Sequence, residues 1–415
     1  MKRMAWLSFA MIVSVAAADV RTDVQGIAAT IEANFYDARR AAAIANDLRA
    51  SARAGELDRF TERADLASEL TQRLRRLDGH FSVAWQPRES RVPASRPAPL
   101  AESRTNHGFQ RLERLPGNIG YLELTYEADI DFARADAPAR RAADAALAML
   151  RDADAVILDL RRNGGGAPSM VGYLVSAFVE PKAEVYNTFH SRAGQRSERP
   201  AASYATPMLA VPLFIVTSGR TGSAGEAIAF TLQAAQRARV VGERSAGAAN
   251  PGAAFATPEG FSVFIATGSP RNPINGRNWE GEGVRPDVEV VAEAALGRAQ
   301  ELALEAVLKG SIAGAARTDA QWALEALRAR SRAASPPAAD VVGTFGSYSL
   351  AIDNGALYVG RARWPAMRLQ PITAELYFFD EDPSRRVSIE REHGKVVAIE
   401  MRSADGGRQR LPKQP

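Results

Sequence analysis

The chain has 415 residues, a formal net charge of +4 and no cysteine. The missing cysteines exclude disulfides, thiolate catalysis, cysteine-based metal sites and lipid attachment through an N-terminal cysteine. Basic residues are interleaved with acidic ones, which is typical of solvated helix faces, so nucleic acid is not an expected partner. A chain of this length buries a core easily, in two or three domains.

The first eighteen residues have the pattern of an export signal. Lys2 and Arg3 precede a mostly apolar run from Met4 to Val15, and three alanines before Asp19 supply a small-residue cleavage site. We therefore predict a protein that is exported, periplasmic or secreted. The run is short for a bilayer, and no later segment reaches the roughly 18 apolar residues of a membrane span. An uncleaved anchor is the alternative.

The rest of the N-terminal region predicts a small helical bundle. Apolar residues recur at a spacing of four in two stripes, Ile27, Ile31 and Phe35, then Leu66, Leu70 and Leu74. A short alternating strand over 81–85 follows, and then a stretch from Pro87 to Pro99 that is rich in Pro, Arg and Ser and predicts a loop.

The centre of the chain alternates strand and helix patterns. The apolar runs 155–160 and 213–217 are of the buried type, and a helical pattern follows each of them. Such alternation predicts an α/β core with its site at the carboxyl ends of the strands. A hairpin is expected to turn at Pro258-Glu259-Gly260.

The last part of the chain predicts a helix from Arg298 to Ala334, a break at Ser335-Pro336-Pro337 and then a small β domain. Its expected strands are 347–352, 356–361, 386–390 and 396–401. The predicted organisation is a signal peptide over 1–18, a helical bundle over 19–78, an α/β core over 79–310, a helix and Pro-rich linker over 311–340, and a small all-β domain over 341–415.

The most informative segment is Thr221 to Glu226, which lies between a buried strand and a helix. A serine at this junction, Ser223, has its hydroxyl in the opening, beside the free N–H groups and positive dipole end of the helix. An acyl-transfer enzyme places its nucleophile in this way. The alternative is that Ser223 only caps the helix.

A serine nucleophile needs a base. Of the four histidines, His107 and His190 fall in polar loops and His393 in a turn of the C-terminal β domain. His80 ends the helical bundle and begins a strand, a junction that can project a side chain into a cleft. Lysine is absent between Lys182 and Lys309, so a serine–lysine pair is poorly supported.

Three motifs occur in order along the chain: Asp-Leu-Arg-Arg-Asn-Gly-Gly-Gly over 159–166, Thr-Gly-Ser-Ala-Gly-Glu over 221–226 and Gly-Val-Arg-Pro-Asp over 283–287. Together they resemble those of the S41 peptidases, a family that includes the C-terminal processing proteases, tricorn protease and interphotoreceptor retinoid-binding protein. The resemblance covers about residues 19–290. Asp78-Gly79-His80 resembles the branch of tricorn and the retinoid-binding protein. The processing proteases place a lysine where this chain has Ala248, which also points to that histidine-using branch.

The resemblance implies a site and a fold. Ser223 matches the nucleophile, His80 the general base and Glu280 the acid that supports it, with Glu282 as a rival. The backbone N–H groups of Ala224 and of the Gly164-Gly165 turn match the oxyanion hole, where glycine allows close approach and φ > 0. The family fold is a twisted spiral of strands and helices, related to the crotonase and Clp peptidase folds.

The predicted function is therefore an exported serine-type peptidase that hydrolyses peptide bonds with no cofactor or metal. Its expected partner is a peptide or protein substrate. The span from Trp85 to Gly117 is too short for a PDZ domain of roughly 80–100 residues, so tail recognition by such a module is not expected. Two alternatives remain: a non-catalytic binding protein for an apolar ligand on the same fold, and an esterase with the same machinery.

Overall fold

The structure is a computed structural model that describes residues 4–85, 99–332 and 336–415. The helices are α1 Met4–Asn34, α2 Ala38–Arg53, α3 Arg63–Arg75, α4 Pro99–Arg104, α5 Pro138–Leu150, α6 Pro168–Ser176, α7 Ala224–Ala234, α8 Ala292–Lys309 and α9 Gly314–Arg330. The strands before residue 300 are β1 Ser82–Trp85, β2 Phe109–Leu115, β3 Ile119–Leu124, β4 Ala155–Asp159, β5 Thr188–Ser191, β6 Gly194–Ser197, β7 Leu213–Thr217, β8 Arg239–Gly242, β9 Gly252–Ala256, β10 Phe261–Ala266, β11 Gly268–Arg271 and β12 Val288–Glu289. The later strands are β13 Gly343–Phe345, β14 Tyr348–Asp353, β15 Ala356–Arg361, β16 Trp364–Pro371, β17 Leu376–Phe379, β18 Asp382–Glu392, β19 Lys395–Ser403 and β20 Arg408–Pro412.

The N-terminal helices α1 to α3 pack through the two predicted apolar stripes, all of whose members are buried. Asp37 caps α2 by accepting hydrogen bonds from the N–H groups of Arg39 and Arg40. The same core includes Phe81 and Phe261, so the helices pack directly against the sheet that contains β1 and β10. The predicted N-terminal helices are therefore confirmed.

Helix α1 begins at Met4 and continues without interruption through the predicted cleavage site. The charged start of the predicted signal, Lys2 and Arg3, lies outside the described residues, as does most of the predicted Pro-rich loop. Among the described residues, no helix has both the length and the apolar character that crossing a bilayer requires.

A six-stranded sheet in the order β12-β8-β7-β4-β3-β2 forms the centre of the molecule, and only β2 is antiparallel to its neighbour. β4 and β7 are buried along their whole length, and Leu158 pairs with Ile215. Helix α8 packs on one face, and α5, α6 and α7 on the other. This arrangement confirms the predicted α/β core. Because β4 and β7 are parallel, the loops that follow Asp159 and Thr217 meet at one edge of the sheet.

Two three-stranded sheets, β1-β10-β9 and β11-β5-β6, flank this core. The predicted hairpin is present, with Ala256 opposite Ser262. β1 and β9 are both antiparallel to β10, so they run in the same direction and begin at the same end of their sheet. His80 precedes β1 and Asn250 precedes β9, and the sheet therefore brings these two residues to one place.

The C-terminal region folds separately as a meander of eight antiparallel strands, β13 to β20, with its own apolar core. A bridge between Phe345 and Lys413 brings the first and last strands together, so the sheet is a nearly closed barrel. The all-β prediction is confirmed, although the four expected strands are only half of those present.

The helix predicted from Arg298 to Ala334 is wrong as a single element. It is two helices, α8 and α9, that separate near Gly310, whose backbone is extended. Helix α9 holds the barrel through Arg386, which forms a 2.7 Å ion pair with Glu325 and lies over the ring of Trp322. The first residue of the predicted break, Ser335, lies outside the described residues.

Candidate active site

Ser223 lies at the carboxyl edge of the central sheet, immediately before α7, and its side chain is exposed. Its backbone angles are φ 50° and ψ −117°. Such a conformation costs roughly 1–3 kcal/mol in a residue other than glycine, and it persists only where the surroundings impose it. A residue that only caps a helix is normally in the β region. The geometry is therefore that of a strained, exposed serine.

Hydrogen bonds on both sides impose this strained turn. Gly222 donates its N–H to the carbonyl of Asn163 at 2.9 Å, and the Thr221 hydroxyl donates to the carbonyl of Leu160 at 2.8 Å. The N–H of Ser223 itself donates to Glu226 Oε2 at 2.7 Å. The loops after β4 and β7 thus hold each other, and the serine lies at their junction.

The triple glycine lies against this serine. A Cβ at Gly165, whose φ is 111°, would be 2.6 Å from Ser223 Cβ and 3.1 Å from Ser223 Oγ. A Cβ at Gly166 would be 2.2 Å from the carbonyl oxygen of Glu127, whereas one at Gly164 would meet nothing within 4 Å. The absence of side chains therefore allows the backbone at Gly165 to approach Ser223 and the backbone at Gly166 to approach Glu127.

The three predicted oxyanion donors differ in their surroundings. The N–H of Gly165 already donates to Asn163 Oδ1 at 2.8 Å. Gly164 has no acceptor for its N–H among the described residues. Ala224 is the first residue of α7, a position whose N–H has no acceptor within the helix. Gly164 and Ala224 thus have N–H groups available to a ligand.

His80 is held through one ring nitrogen by two carboxylates. Its Nδ1 atom lies 3.1 Å from Asp78 Oδ1 and 3.1 Å from Glu280 Oε1. The backbone N–H of His80 also donates to Asp78 Oδ1, at 3.0 Å. The rival acid, Glu282, is exposed and forms no ion pair with the ring. Of the two glutamates, the structure brings only Glu280 to His80, and it leaves Nε2 as the nitrogen not held by a carboxylate.

The two carboxylates change the protonation of the imidazole. The hydrogen bonds that the His80 ring donates to Asp78 and then to Glu280 raise the pKa of His80 to about 9, although burial opposes the shift. Burial would raise the pKa of Asp78, but the hydrogen bonds of His80 outweigh it and the pKa is lowered. At neutral pH the His80 ring is therefore protonated.

The buried side chain of Glu226 joins Ser223 to the loop that follows β8. Its carboxylate accepts hydrogen bonds from the hydroxyl of Ser245 at 2.6 Å and from the N–H groups of Gly247 at 2.6 Å and Ala248 at 2.8 Å, besides that of Ser223. Ala248 contributes only its backbone here, at the position where the resemblance would place a lysine.

The next two residues of this loop hold the other carboxylate. The N–H groups of Ala249 and Asn250 both donate to Glu280 Oε2 at 2.9 Å. The four consecutive N–H groups of residues 247–250 therefore bind two acids. The first two bind Glu226, beside Ser223, and the last two bind Glu280, beside His80. No hydrogen bond joins the His80 ring to the Ser223 hydroxyl within the described part of the chain, and this loop is what links them.

The same cluster is the one group among the described residues with the geometry for a metal ion. Asp78, His80 and Glu280 each offer one ligand atom, and these atoms lie within 4.8 Å of one another. Beside it, an open cleft of about 480 Å³ is lined by Glu280 and by His190, Arg271 and Arg277. His190 is thus near the site, at the wall of this cleft.

Several residues that hydrogen-bond at the site have no assigned role in the sequence prediction, among them Asp78, Asn163 and Glu226. Glu226 has a local sequence signal, because Ser followed three residues later by Glu is the pattern of a capping box. Asp78 and Asn163 lie within quoted motifs, but no spacing rule assigns their side chains to the His80 ring or to the Gly165 N–H.

Residues 118–290 match the family model described as Peptidase family S41. The carboxyl-terminal-processing protease of Picosynechococcus sp. is 29% identical over 147 residues, which cover 35% of this chain and 34% of that protein. The chloroplastic carboxyl-terminal-processing peptidase 1 of Arabidopsis thaliana is 26% identical over 191 residues, which cover 45% and 36%. The match thus spans only about a third of each relative's length (34% and 36%).

Among solved structures, a photosystem II D1 C-terminal processing protease is similar over 42% of this chain and 43% of that chain, with 22% identity and a TM-score of 0.33. The matched segment 118–290 includes Ser223, the triple glycine and Glu280, whereas His80 precedes it. The central α/β region of this chain, residues 118–290, is therefore similar to peptidase family S41.

Proposed function

We propose that this chain is a serine-type peptidase in which Ser223 is the nucleophile, His80 the general base and Glu280 its supporting acid. One observation carries the proposal: a strained, exposed serine lies against Gly165 at the carboxyl ends of the strands of a core that matches the S41 family model. The surrounding groups supply the other roles that acyl transfer needs.

The proposed reaction begins when Ser223 Oγ attacks the carbonyl carbon of the scissile bond. In its neutral form His80 takes the hydroxyl proton at Nε2, and the N–H groups of Gly164 and Ala224 stabilise the oxyanion. His80 then gives the proton to the leaving amine, the C–N bond breaks, and water hydrolyses the acyl-enzyme in the same way. Since no direct hydrogen bond joins His80 to Ser223 here, substrate must bring the two together, as often occurs when catalytic hydrogen bonds tighten in the Michaelis complex.

The finer assignments are also proposals. Ala248 in place of a lysine and the His80 cluster favour the tricorn-like, histidine-using branch. The names of the two relatives favour a peptide or protein as substrate. The pattern of residues 1–18 favours export to the periplasm or the medium. The division near residues 78, 310 and 340 follows the sequence patterns, and the boundary near 340 also coincides with the start of a separate apolar cluster.

The direct test is labelling with a fluorophosphonate, followed by mapping of the modified residue and by a peptide-cleavage assay with mass spectrometry. We expect stoichiometric modification at Ser223 that Ser223→Ala abolishes. Ser191→Ala, which removes another exposed serine, is the matched control and keeps wild-type labelling. Addition of EDTA leaves the rate unchanged if no metal is involved.

Three results would contradict the proposal. A folded wild-type protein that is not labelled and that co-purifies with lipid would be the binding protein. A labelled protein that cleaves esters but no peptide in a diverse library would be an esterase. A rate that EDTA abolishes and a divalent metal restores would assign the Asp78–His80–Glu280 cluster to metal chemistry.

A further inference from the structure

Glu127 is a buried acid behind the glycine turn. It follows β3 and is 2% exposed. Its Oε1 accepts a hydrogen bond from Asn163 Nδ2 at 2.7 Å, whereas Oε2 is buried without a partner among the described residues. No cation pairs with it there. Burial raises the pKa of Glu127 to about 8, the Asn163 hydrogen bond acts against the shift, and the buried Glu198 carboxyl adds to it.

Asn163 connects Glu127 to the two turns that surround Ser223. Its Nδ2 also donates to the carbonyl of Leu124 at 3.1 Å, so the amide is held on two sides. Its Oδ1 accepts the N–H of Gly165, and its carbonyl accepts the N–H of Gly222. The side chain of Asn163 therefore binds the glycine turn, and its backbone carbonyl binds the turn that contains Ser223.

The main chain of Glu127 holds the far side of the same turn. Its carbonyl accepts the N–H of Ala167 at 2.7 Å, and its N–H donates to the carbonyl of Gly165 at 3.5 Å. Gly166 lies so close to the Glu127 carbonyl that no side chain fits between them. The segment 163–167 is thus bracketed by Glu127 through both its backbone and its side chain.

We propose that Glu127 is a positioning residue for the reaction proposed above, and that its carboxyl acts through Asn163 to hold the Gly164-Gly165 turn against Ser223. The inference rests on that proposed function. A contribution to folding stability does not explain why the Glu127 carboxyl is buried, because a buried carboxyl oxygen without a hydrogen-bond partner destabilises the folded state. A displaced turn would move the oxyanion donors, and a misplacement of about 1 Å can cost about 10²-fold in rate.

Two variants of Glu127 test the role. Glu127→Gln keeps an oxygen that accepts the Asn163 amide, so it rescues most of kcat. Glu127→Leu has a similar size and no acceptor, and we expect about a 10²-fold loss of kcat. KM changes little, because the oxyanion donors act in the transition state. Glu127→Asp, which withdraws the carboxyl by one methylene, gives an intermediate loss and serves if the leucine variant does not fold.

Glu198 offers a matched control. It is 5% exposed, and its Oε2 accepts Asn187 Nδ2 at 2.7 Å, so it too is a buried acid paired with an asparagine. No side-chain hydrogen bond connects Glu198 to the turn at 163–167 among the described contacts. Glu198→Leu should lower the melting temperature about as Glu127→Leu does and leave kcat near the wild-type value.

The outcomes separate this inference from the proposed function. Phosphonate labelling of Ser223 in the wild-type protein must be present, and its absence would defeat the proposed function itself. If the wild type is labelled and the folded Glu127→Leu and Glu127→Asp variants keep wild-type kcat, the positioning role is overturned. Equal losses of kcat in Glu127→Leu and Glu198→Leu, or no rescue by Glu127→Gln, would overturn it as well.

Discussion

The Nδ1 atom of His80 lies 3.1 Å from the Oε1 atom of Glu280, whose other oxygen is held by two backbone N–H groups. An acid fixed in this way orients the ring and stabilises the imidazolium that forms when Ser223 loses its proton. We therefore expect Glu280→Gln to lower kcat by about 10²-fold or more. Glu282→Gln, an exposed change on the same loop, is the control and should leave kcat intact. The reverse order of the two effects would reassign the acid.

The pKa of about 9 at His80 predicts an alkaline pH profile. Only the neutral imidazole accepts a proton, and the carboxylates favour the charged form, so activity is low below the pKa and rises through it. We expect kcat/KM to increase up to about pH 9, since this parameter reports groups of the free enzyme. Asp78→Asn removes the largest cause of the shift and should move the rise toward the ordinary value of 6.5. A rise at the same pH in both proteins would contradict this.

Local sequence patterns sufficed to predict the core strands and the place of Ser223. The runs that became β4 and β7 are continuous and apolar because both faces of each strand are buried. The junction before Ala224 is visible for the same reason, since a buried strand ends there and a helical pattern begins. The assignment of His80 as the base depends instead on the resemblance to the histidine-using branch, because its position before β1 shows only that its side chain can enter a cleft.

The network around these residues could not be predicted in the same way. The loop 247–250 acts through backbone N–H groups, which every residue but proline has, so its small side chains give no signal. Asn250 reaches Asp78 only because β9 and β1 lie on either side of β10 in one sheet, across 172 positions of sequence. The burial of Glu127 likewise depends on contacts between segments that are distant in the chain.

The geometry of the glycine turn predicts that alanine is poorly tolerated at position 165 and well tolerated at position 164. Gly165→Ala would place a Cβ 2.6 Å from Ser223 Cβ and 3.1 Å from the N–H nitrogen of Ala224, in a backbone region with φ 111°. We expect it to lower kcat/KM by at least about 10²-fold, because the donors and the nucleophile must move apart. Gly164→Ala meets nothing within 4 Å and keeps its N–H, so it should lose far less activity. Equal losses at both positions, measured on folded proteins, would contradict this account of the turn.

The backbone strain at Ser223 predicts that a substitution which abolishes activity at this residue can also raise the melting temperature. Ser223→Gly removes the hydroxyl and also relieves a backbone conformation that costs roughly 1–3 kcal/mol for other residues, so we expect a higher melting temperature and no phosphonate labelling. Ser223→Ala removes the same hydroxyl but keeps a Cβ at φ 50° and ψ −117°. It should also be unlabelled, yet melt near the wild-type temperature. Calorimetry of the two variants measures how much the strained backbone at position 223 lowers stability. If Ser223→Gly melts no higher than Ser223→Ala, the proposed strain is absent.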